Sequence, residues 1–251
     1  MYHQNKGRYG YRRILLELAN RGYRVNHKKI KRIMSLLDIH GITPRGKYNS
    51  YKGDQNGVCR NLLLNKVVDE EKHRTTYRRD FSTTACNQKW TTDVSEFHIA
   101  AGKLYLSPIL DMHNREIVAF NISRSPSFSQ TTDMLRKAFA KHRKLEGLIL
   151  HSDQGWQYQM KLYHEELKKR GIRQSMSRKG NCLDNSPMEN FFVVMKNEMF
   201  YGHEYEFKSL DELEKAMKKY IEYYNSERIT EKTKGLPPLT YRQQPFVQLG
   251  Y

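Results

Sequence analysis

The sequence is poor in three features that define whole classes of protein. Its 251 residues include only three cysteines, Cys59, Cys86 and Cys182, scattered at neither disulfide-framework nor zinc-ligand spacing. No apolar run approaches the roughly 18–20 residues of a membrane span, and no signal-peptide segment follows the basic N-terminus. These absences argue against a disulfide-stapled secreted domain, a zinc module and a membrane protein. We therefore expect a protein of a reducing compartment, the bacterial cytoplasm.

Acidic residues are scarce in the front of the chain. The first 90 residues contain 20 Lys+Arg and only 7 Asp+Glu, so they carry +13 of the total net charge of +17. Such asymmetry is typical of a polyanion-binding segment attached to a more ordinary globular domain, because each neutralised phosphate releases condensed counterions. A merely soluble basic surface is the alternative. The charge favours a nucleic acid as partner without separating DNA from RNA.

The first 40 residues predict two short helices joined by a turn. Gly22 can end the first helix, and Asn26 can cap a second one. The apolar stripe of that second helix is Ile30, Ile33, Met34 and Leu37, at helical spacing. A helix–turn–helix of this kind can place one helix against a DNA groove. The candidate DNA contacts lie off the apolar stripe and are Lys28, Lys29, Lys31 and Arg32.

Two further regions follow this helical segment. Residues 41–88 are basic and lack a sustained apolar period, so they indicate a linker. Residues 89–251 alternate strands and helices and predict the catalytic core, which ends in helices. The predicted strands are Trp90–Ile99, Lys103–Leu110, Glu116–Ser123, Leu148–Leu150 and Ile172–Ser177. The predicted helices are 129–144, 160–170, 187–200 and 210–225. This order predicts an α/β, ribonuclease-H-like integrase core with a mixed five-stranded sheet.

Three carboxylates are the candidate catalytic residues. Asp93 and Asp153 each follow a strand-like run, and Glu189 lies near the start of a predicted helix. Two strand ends and one helix can converge on a point, where three carboxylates could hold two divalent cations about 3.5–4 Å apart for phosphoryl transfer. Each has a structural alternative: a strand end, a turn, or, for Glu189, a capping box with Ser186. Asp184 is the next candidate for the third carboxylate.

Basic residues near these carboxylates are candidate DNA contacts. Lys196 follows Glu189 by two helical turns on the same flank, so it can touch a phosphate; a solvated helix lysine is the alternative. Arg178 and Lys179 occupy the loop before the helix and join the candidate DNA contacts.

Four segments resemble the DDE transposases of the insertion sequence 3 family. They are Asn87–Phe97 (NQKWTTDVSEF), Lys103–Asp111 (KLYLSPILD), His151–Tyr158 (HSDQGWQY) and Ser175–Glu189 (SMSRKGNCLDNSPME). The opening Tyr9–Ile14 (YGYRRI) is similar to the helix–turn–helix that precedes the integrase core in that family.

The resemblance implies a retroviral-integrase-like core that depends on Mg²⁺ or Mn²⁺, with two ions per active site. It implies Asp93, Asp153 and Glu189 as metal ligands, with Lys196 at the basic position two turns after the glutamate. The implied partners are double-stranded DNA at transposon ends and target, further copies of the chain on that DNA, and an upstream-frame DNA-binding protein. No membrane partner is expected, and the protein is expected at the nucleoid.

The expected activity is metal-dependent DNA strand cleavage and strand transfer of an insertion sequence, which is DNA integration and recombination. Two alternatives stay open: a ribonuclease-H-like nuclease without strand transfer, and an inactive DNA-binding remnant of a transposon.

Overall fold

The N-terminal region forms the predicted helix–turn–helix. The computed structural model describes residues 1–42, 58–69 and 74–244. Helix α1 spans Tyr11–Asn20 and α2 spans His27–Leu36. Gly22 adopts the left-handed conformation in the turn (φ +86°), and the side chain of Asn26 caps α2 by accepting the backbone N–H of Lys28 at 2.8 Å.

The apolar stripe predicted for α2 is only half correct. Ile30 and Met34 are buried, whereas Ile33 is 37% and Leu37 63% exposed. The buried pair packs with Ile14 of α1, with Tyr9 and with Ile229 from near the C-terminus. A ten-residue helix can therefore bury two apolar positions and leave two in solvent, which its periodicity alone does not disclose.

A two-stranded hairpin lies inside the segment that the sequence indicated as a linker. Strands β1 (Leu64–Asp69) and β2 (Arg74–Arg79) are antiparallel, with Leu64 opposite Arg79. The hairpin was not predicted because its strands are short and mostly polar, and because three of their four apolar side chains, Val67, Val68 and Tyr77, are exposed. Residues 43–57 and 70–73 of the proposed linker lie outside the described residues.

The core contains the predicted mixed sheet. Its strands are β3 (Lys89–Thr92), β4 (Ser95–Ile99), β5 (Gly102–Asp111), β6 (Ile117–Ser123), β7 (Ile149–Ser152) and β8 (Arg173–Met176). Strand β6 pairs with one edge of β5, and β4 and β3 pair with the other edge, each antiparallel. Strand β3 then pairs with β7 and β7 with β8, both parallel.

The sheet corrects one predicted strand. The expected strand Trp90–Ile99 is divided into β3 and β4, so six strands occupy the five positions of the predicted sheet. The division falls at Asp93, whose Oδ1 accepts the backbone N–H of Val94 at 2.7 Å. A side chain that takes a backbone donor in this way competes with the strand ladder. The consequence is an interruption of the strand at the first candidate catalytic residue, with the same register to β5 on both sides.

Helices cover both faces of the sheet. They are α3 (Phe128–Lys141), α4 (Lys161–Lys168), α5 (Ser186–Met199) and α6 (Leu210–Ser226), with a short, unpredicted α7 (Pro238–Gln243) near the end. One apolar cluster joins the sheet to α5 and α6 through Phe97, Leu104, Phe192, Met195 and Met217. A second joins the sheet to α3 and α4 through Trp90, Met134, Ala138, Leu150 and Tyr163. This is the predicted α/β architecture.

No helix in the described part of the chain is both long enough and apolar enough to cross a membrane.

Candidate active site

The first two candidate carboxylates end neighbouring parallel strands at the same level. Trp90 of β3 lies opposite Leu150 of β7, and Thr91 lies opposite His151. Two residues further along each strand come Asp93 and Asp153, so the pairing register brings both carboxylates to one edge of the sheet. Sequence predicted each strand end separately; the register of the pair is what the structure adds.

A buried tyrosine reports that the two carboxylates share one environment. Tyr158, in the short 3₁₀ helix Trp156–Tyr158, is fully buried and has its pKa raised well above the usual value by burial and by the charges of both Asp93 and Asp153. Burial also raises the pKa of Asp153, whose Oδ1 accepts the backbone N–H of Gly155 at 2.9 Å. Sequence reasoning missed Tyr158, although it follows Asp153 by only five residues.

Asn185 fastens the start of α5 to the end of β3. Its side-chain oxygen accepts a short hydrogen bond from the hydroxyl of Thr91, and its Nδ2 donates to the carbonyl of Thr92 at 3.2 Å. Both partners immediately precede Asp93. The helix that carries Glu189 therefore begins beside the two aspartates, and Asn185 is a second functional position that sequence reasoning did not single out.

Glu189 lies in the first turn of α5, and it is not close enough to Asp93 and Asp153 for the three to hold a metal ion together. Burial raises the pKa of Glu189 to about 7, and burial is the only cause. The charges of Asp93 and Asp153 do not contribute to that shift, whereas both of them act on Tyr158. The third carboxylate is thus carried to the site by its helix but is not in close contact with the other two.

The capping-box alternative for Glu189 does not form. Ser186 has helical backbone angles (φ −54°, ψ −29°), so the cap position belongs to Asn185, which makes no side-chain capping bond. A capping box needs the glutamate three residues after the cap, and Glu189 stands four residues after Asn185. The local reason for a glutamate at this position is therefore absent.

Asp184, the alternative third carboxylate, is committed to an ion-pair cluster. Its buried carboxylate accepts from Arg178 at 2.9 Å through both Nε and a terminal nitrogen, from Arg79 at 2.7 Å and from Asn61 at 3.1 Å. Although burial opposes ionisation, these donors bring the pKa of Asp184 down to about 2. The cluster ties the base of the hairpin to the loop before α5. Asp184 is a structural residue.

Lys196 lies beside the aspartate edge rather than in open solvent. Its Nζ is 4.9 Å from the ring centroid of Phe97, and burial lowers the pKa of its ammonium against the opposing charges of Glu96 and Asp93. This position agrees with the predicted flank shared with Glu189, and it excludes the purely solvated alternative. The Lys196 side chain is therefore close enough to Asp93 for their charges to interact.

The remaining candidate DNA contacts differ in whether they are exposed or are bound by a carboxylate of the protein. Arg178 is held by Asp184, whereas its neighbour Lys179 is exposed. The four cations of α2, which are Lys28, Lys29, Lys31 and Arg32, are all exposed. Their contact with DNA stays a prediction.

A divalent cation fits the chemistry of these donors but not a preformed cage. Within residues 1–42, 58–69 and 74–244, no three His, Cys, Asp or Glu side chains already lie close enough to hold a metal ion. Carboxylate oxygens are the ligands that Mg²⁺ takes in proteins. A cation beside Asp153 would favour the ionised carboxylate and so oppose the rise in pKa that burial causes. Asp93 and Asp153 offer carboxylate oxygens of this kind at one edge of the sheet.

Fold and site together define the class of integrase-type cores. Residues 83–182 and 189–246 match the integrase core domain families, and residues 1–48 match an HTH-like domain. A chain of the simian T-cell lymphotropic virus intasome superposes with a TM-score of 0.56 at 13% identity, covering 89% of this chain and 69% of that one. The HTLV-2 integrase catalytic core domain, solved in complex with magnesium, gives 0.50 at 16% identity, covering 64% and 99%. At such low identity these likenesses show the fold alone.

Closer relatives show the family. A putative transposase of insertion sequence element IS150 from Escherichia coli is 44% identical over 98% of this chain and 82% of its own length. A transposase-like protein from Haemophilus influenzae is 50% identical over 88% and 94%. A transposase of insertion sequence element IS904 from Lactococcus lactis is 33% identical over 91% and 85%. The chain belongs to the DDE transposases of the insertion sequence 3 family, so it is a polynucleotidyl transferase that acts on DNA.

Proposed function

We propose that Asp93, Asp153 and Glu189 hold two divalent ions, Mg²⁺ or Mn²⁺, and that the site cleaves transposon ends and joins them to target DNA. The observation that carries the proposal is the shared level of Asp93 and Asp153 on parallel strands, with α5 fastened to the same strand end. Bound metal ions would supply activation of the attacking oxygen and stabilisation of the leaving 3′-oxygen. Glu189 completes the ligand set by moving toward the aspartates.

The protein's own residues provide position and charge. Asn185 fixes the start of α5 on Thr91 and Thr92, so the direction from which Glu189 approaches is set by the fold. Lys196 offers a positive charge beside Asp93 to a phosphate oxygen of the DNA. The ring of Tyr158 is fully buried near both aspartates, so it keeps water away from the interior side of the site. Attack by water cleaves the strand, and attack by the resulting 3′-hydroxyl transfers it.

The assembly that carries out both steps is proposed to contain several copies of the chain on DNA. The exposed cations of α2 and the HTH-like domain would bind the transposon end, and an upstream-frame DNA-binding protein would add end recognition. Its substrate, bacterial DNA, places the proposed activity at the nucleoid.

A strand-transfer assay with labelled transposon ends tests the catalytic proposal. We expect Mg²⁺- or Mn²⁺-dependent joining of 3′-ends to target DNA by the wild-type chain. Asp93→Asn, Asp153→Asn and Glu189→Gln should each lose it, whereas the exposed-surface control Asp211→Asn should keep it. Cleavage without joining would show a nuclease, and an active carboxylate variant would remove that residue from the ligand set.

Metal binding has an independent readout. Mg²⁺ or Mn²⁺ should raise the melting temperature of the wild-type protein in proportion to occupancy, because a ligand that binds only the folded state stabilises it. Asp153→Asn should abolish that rise and Asp211→Asn should not. An equal rise in both variants would place the metal elsewhere.

A further inference from the structure

A cavity of about 250 Å³ lies on the face of α5 that points away from the carboxylates. The helix contributes Pro187, Asn190, Phe191 and Val194, which follow an i, i+3, i+4, i+7 stripe. At about 100° per residue, this stripe is centred about 150° around the helix axis from Glu189. We call the space the α5 cavity. It is not part of the candidate active site.

The other walls of the α5 cavity are rich in cations. They come from α1, from the β5–β6 turn, from α6 and from the segment that follows it. The cationic lining residues are Arg13, Arg115, Arg228 and Lys232, and the one acidic lining residue is Glu231. The cavity therefore concentrates positive charge from separate parts of the chain.

Two of these four cations are neutralised inside the protein. The carboxylate of Glu198 accepts from Arg228 at 2.8 and 3.0 Å and from Arg13 at 3.1 Å. Tyr220 completes this cluster by donating its hydroxyl to Glu198 at 2.9 Å. Glu198 is not among the lining residues of the cavity, so this cluster supports its wall, and it makes no ion pair with the other two cations.

Arg115 and Lys232 line the same cavity. Burial lowers the pKa of Arg115 although the charge of Asp111 opposes that shift, and the charge of Arg115, followed by burial, lowers the pKa of Lys232. Among the side chains that the structure describes, no acceptor for a hydrogen bond or ion pair is found for either of them. Two like charges brought together in a cavity are stabilised by an anion placed between them.

The acids nearest to Arg115 are engaged elsewhere. Its neighbour Glu116 is fully buried and is bound by Lys141 and Arg242, each at 2.6 Å. Asp111 accepts the backbone N–H groups of two residues of its own surroundings. Glu231 lies 3.7 Å from Arg12. None of these three acids forms an ion pair with Arg115 or Lys232 among the described residues.

The backbone also holds Arg115 in an uncommon state. Its φ is +66°, in the left-handed region that residues other than glycine seldom occupy. Asn114, beside it, is buried and donates to Glu116 and to the carbonyl of Pro238, so the turn is fixed from both sides. The turn thereby directs adjacent charged residues in opposite ways, Glu116 into the interior and Arg115 into the cavity.

We propose that the α5 cavity binds a phosphate group of duplex DNA, held by Arg115 and Lys232 on the face of α5 opposite the carboxylates. The planar guanidinium fork matches two phosphate oxygens, and the lysine adds a point charge. DNA is the favoured source because the cavity lies between α1 of the HTH-like domain and α5 of the catalytic core, so a duplex bound to both passes it. The proposal rests on the proposed function only in taking DNA as the substrate.

Salt-dependent duplex binding by the full chain, without divalent ions so that no strand is cut, tests the proposal. Arg115→Gln and Lys232→Gln should each weaken binding about tenfold and reduce the log–log salt slope by roughly 0.9 for each phosphate that is no longer neutralised. Lys215→Gln removes the same charge from the exposed face of α6 and should leave the slope unchanged. Arg115→Lys keeps the charge and should restore most of the slope.

The outcomes distinguish a DNA site in the cavity from a site for free phosphate, and they distinguish both from a failure of the proposed catalysis. Because Lys232 is exposed, its variant reports on the cavity even where Arg115→Gln disturbs folding, and unchanged slopes in both would overturn the proposal. Stabilisation of the wild type by inorganic phosphate, together with unchanged duplex binding, would assign the cavity to a free phosphate and overturn the DNA assignment. A wild-type chain that joins no strands but shows the slope change would refute the proposed catalysis and support the cavity.

Discussion

The buried and half-buried carboxylates of this protein differ in what faces them. Glu198, Asp184 and Glu116 each accept from arginine or lysine, and the pKa of each is lowered although burial opposes it. Asp153 and Glu189 have their pKa raised by burial, and no described lysine or arginine lies within ion-pair distance of them. A buried acid without a cation is costly unless something from outside supplies one. Among these five acids, the contrast separates those that hold the fold from those that we propose as metal ligands.

The largest effect expected from this contrast is on turnover at the unpaired acids. Asp153→Asn should reduce strand cleavage about a thousandfold or more, because loss of one charged ligand removes several kcal/mol of transition-state stabilisation. The melting temperature of the metal-free protein should stay the same or rise, since an uncompensated buried charge is removed. Single-turnover cleavage and thermal unfolding of the same sample measure the two quantities. A strong loss of stability would place Asp153 with the structural acids.

At the paired acids the same kind of substitution should act on stability instead. Glu198→Gln leaves Arg13 and Arg228 without their counter-charge, and breaking a buried pair costs about 3–5 kcal/mol. Denaturant unfolding at neutral pH measures the loss. Glu214→Gln, on the outer side of α6, is the matched control and should cost less than about 1 kcal/mol. Equal losses of unfolding free energy at Glu198 and Glu214 would show that the buried ion pairs of Glu198 stabilise the fold no more than an exposed pair.

The stability contributed by Asp184 should depend on pH in a defined window. Its folded pKa is about 2 against 3.8 ordinarily, so the stabilisation is fully present above about pH 4 and disappears as the pH falls through 2. The shift corresponds to about 2 kcal/mol. We expect the difference in unfolding free energy between wild type and Asp184→Asn to be constant from pH 5 to 8 and to shrink below pH 4. A difference that grows with acid would have the wrong sign for a lowered pKa.

A smaller effect on cleavage and stability is expected at Asn185, which lies in the chain between the paired acid Asp184 and Glu189. Asn185→Ala should slow cleavage about tenfold by loosening the start of α5, with a loss of stability of about 1 kcal/mol. Thr91→Val removes the facing hydroxyl without changing the shape. Because both variants break the same hydrogen bond, the double variant should lose little more activity than either alone. Additive losses would show that Asn185 acts on α5 by another route.

Much of the fold followed from the sequence. The positions of Asp93 and Asp153 at strand ends were predictable because each follows a short apolar or β-branched run, and the position of Glu189 in a first helical turn was predictable because its helix has a recognisable beginning; their role as metal ligands stays a prediction. The roles of Asn185 and Asp184 were not, since their partners Thr91 and Arg79 lie 94 and 105 positions away in the chain. Local patterns report on local backbone, whereas side-chain pairing at such separations depends on the finished fold.

The packing of the N-terminal segment against the core was harder to predict from the sequence than the helices and strands themselves. The basic N-terminal segment suggested an independent unit, yet Tyr9 accepts the backbone N–H of Ile229 and Asn20 donates to the carbonyl of Gly235. Together with the bond from Arg13 to Glu198, these contacts tie the first helix to the end of the core. Charge composition indicates what a segment binds; it does not indicate what the segment packs against.

The adjacent residues Asp184 and Asn185 have a consequence for the order in which the chain assembles. Every side chain that pairs with them is synthesised earlier: Asn61, Arg79 and Arg178 for the aspartate, and Thr91 for the asparagine. A ribosome therefore delivers the docking surface before the two residues that bind it. Helix α5, with Glu189 one turn beyond them, can therefore dock onto hydrogen-bonding groups that are already synthesised, and this docking positions Glu189, the last in the chain of the three proposed ligands.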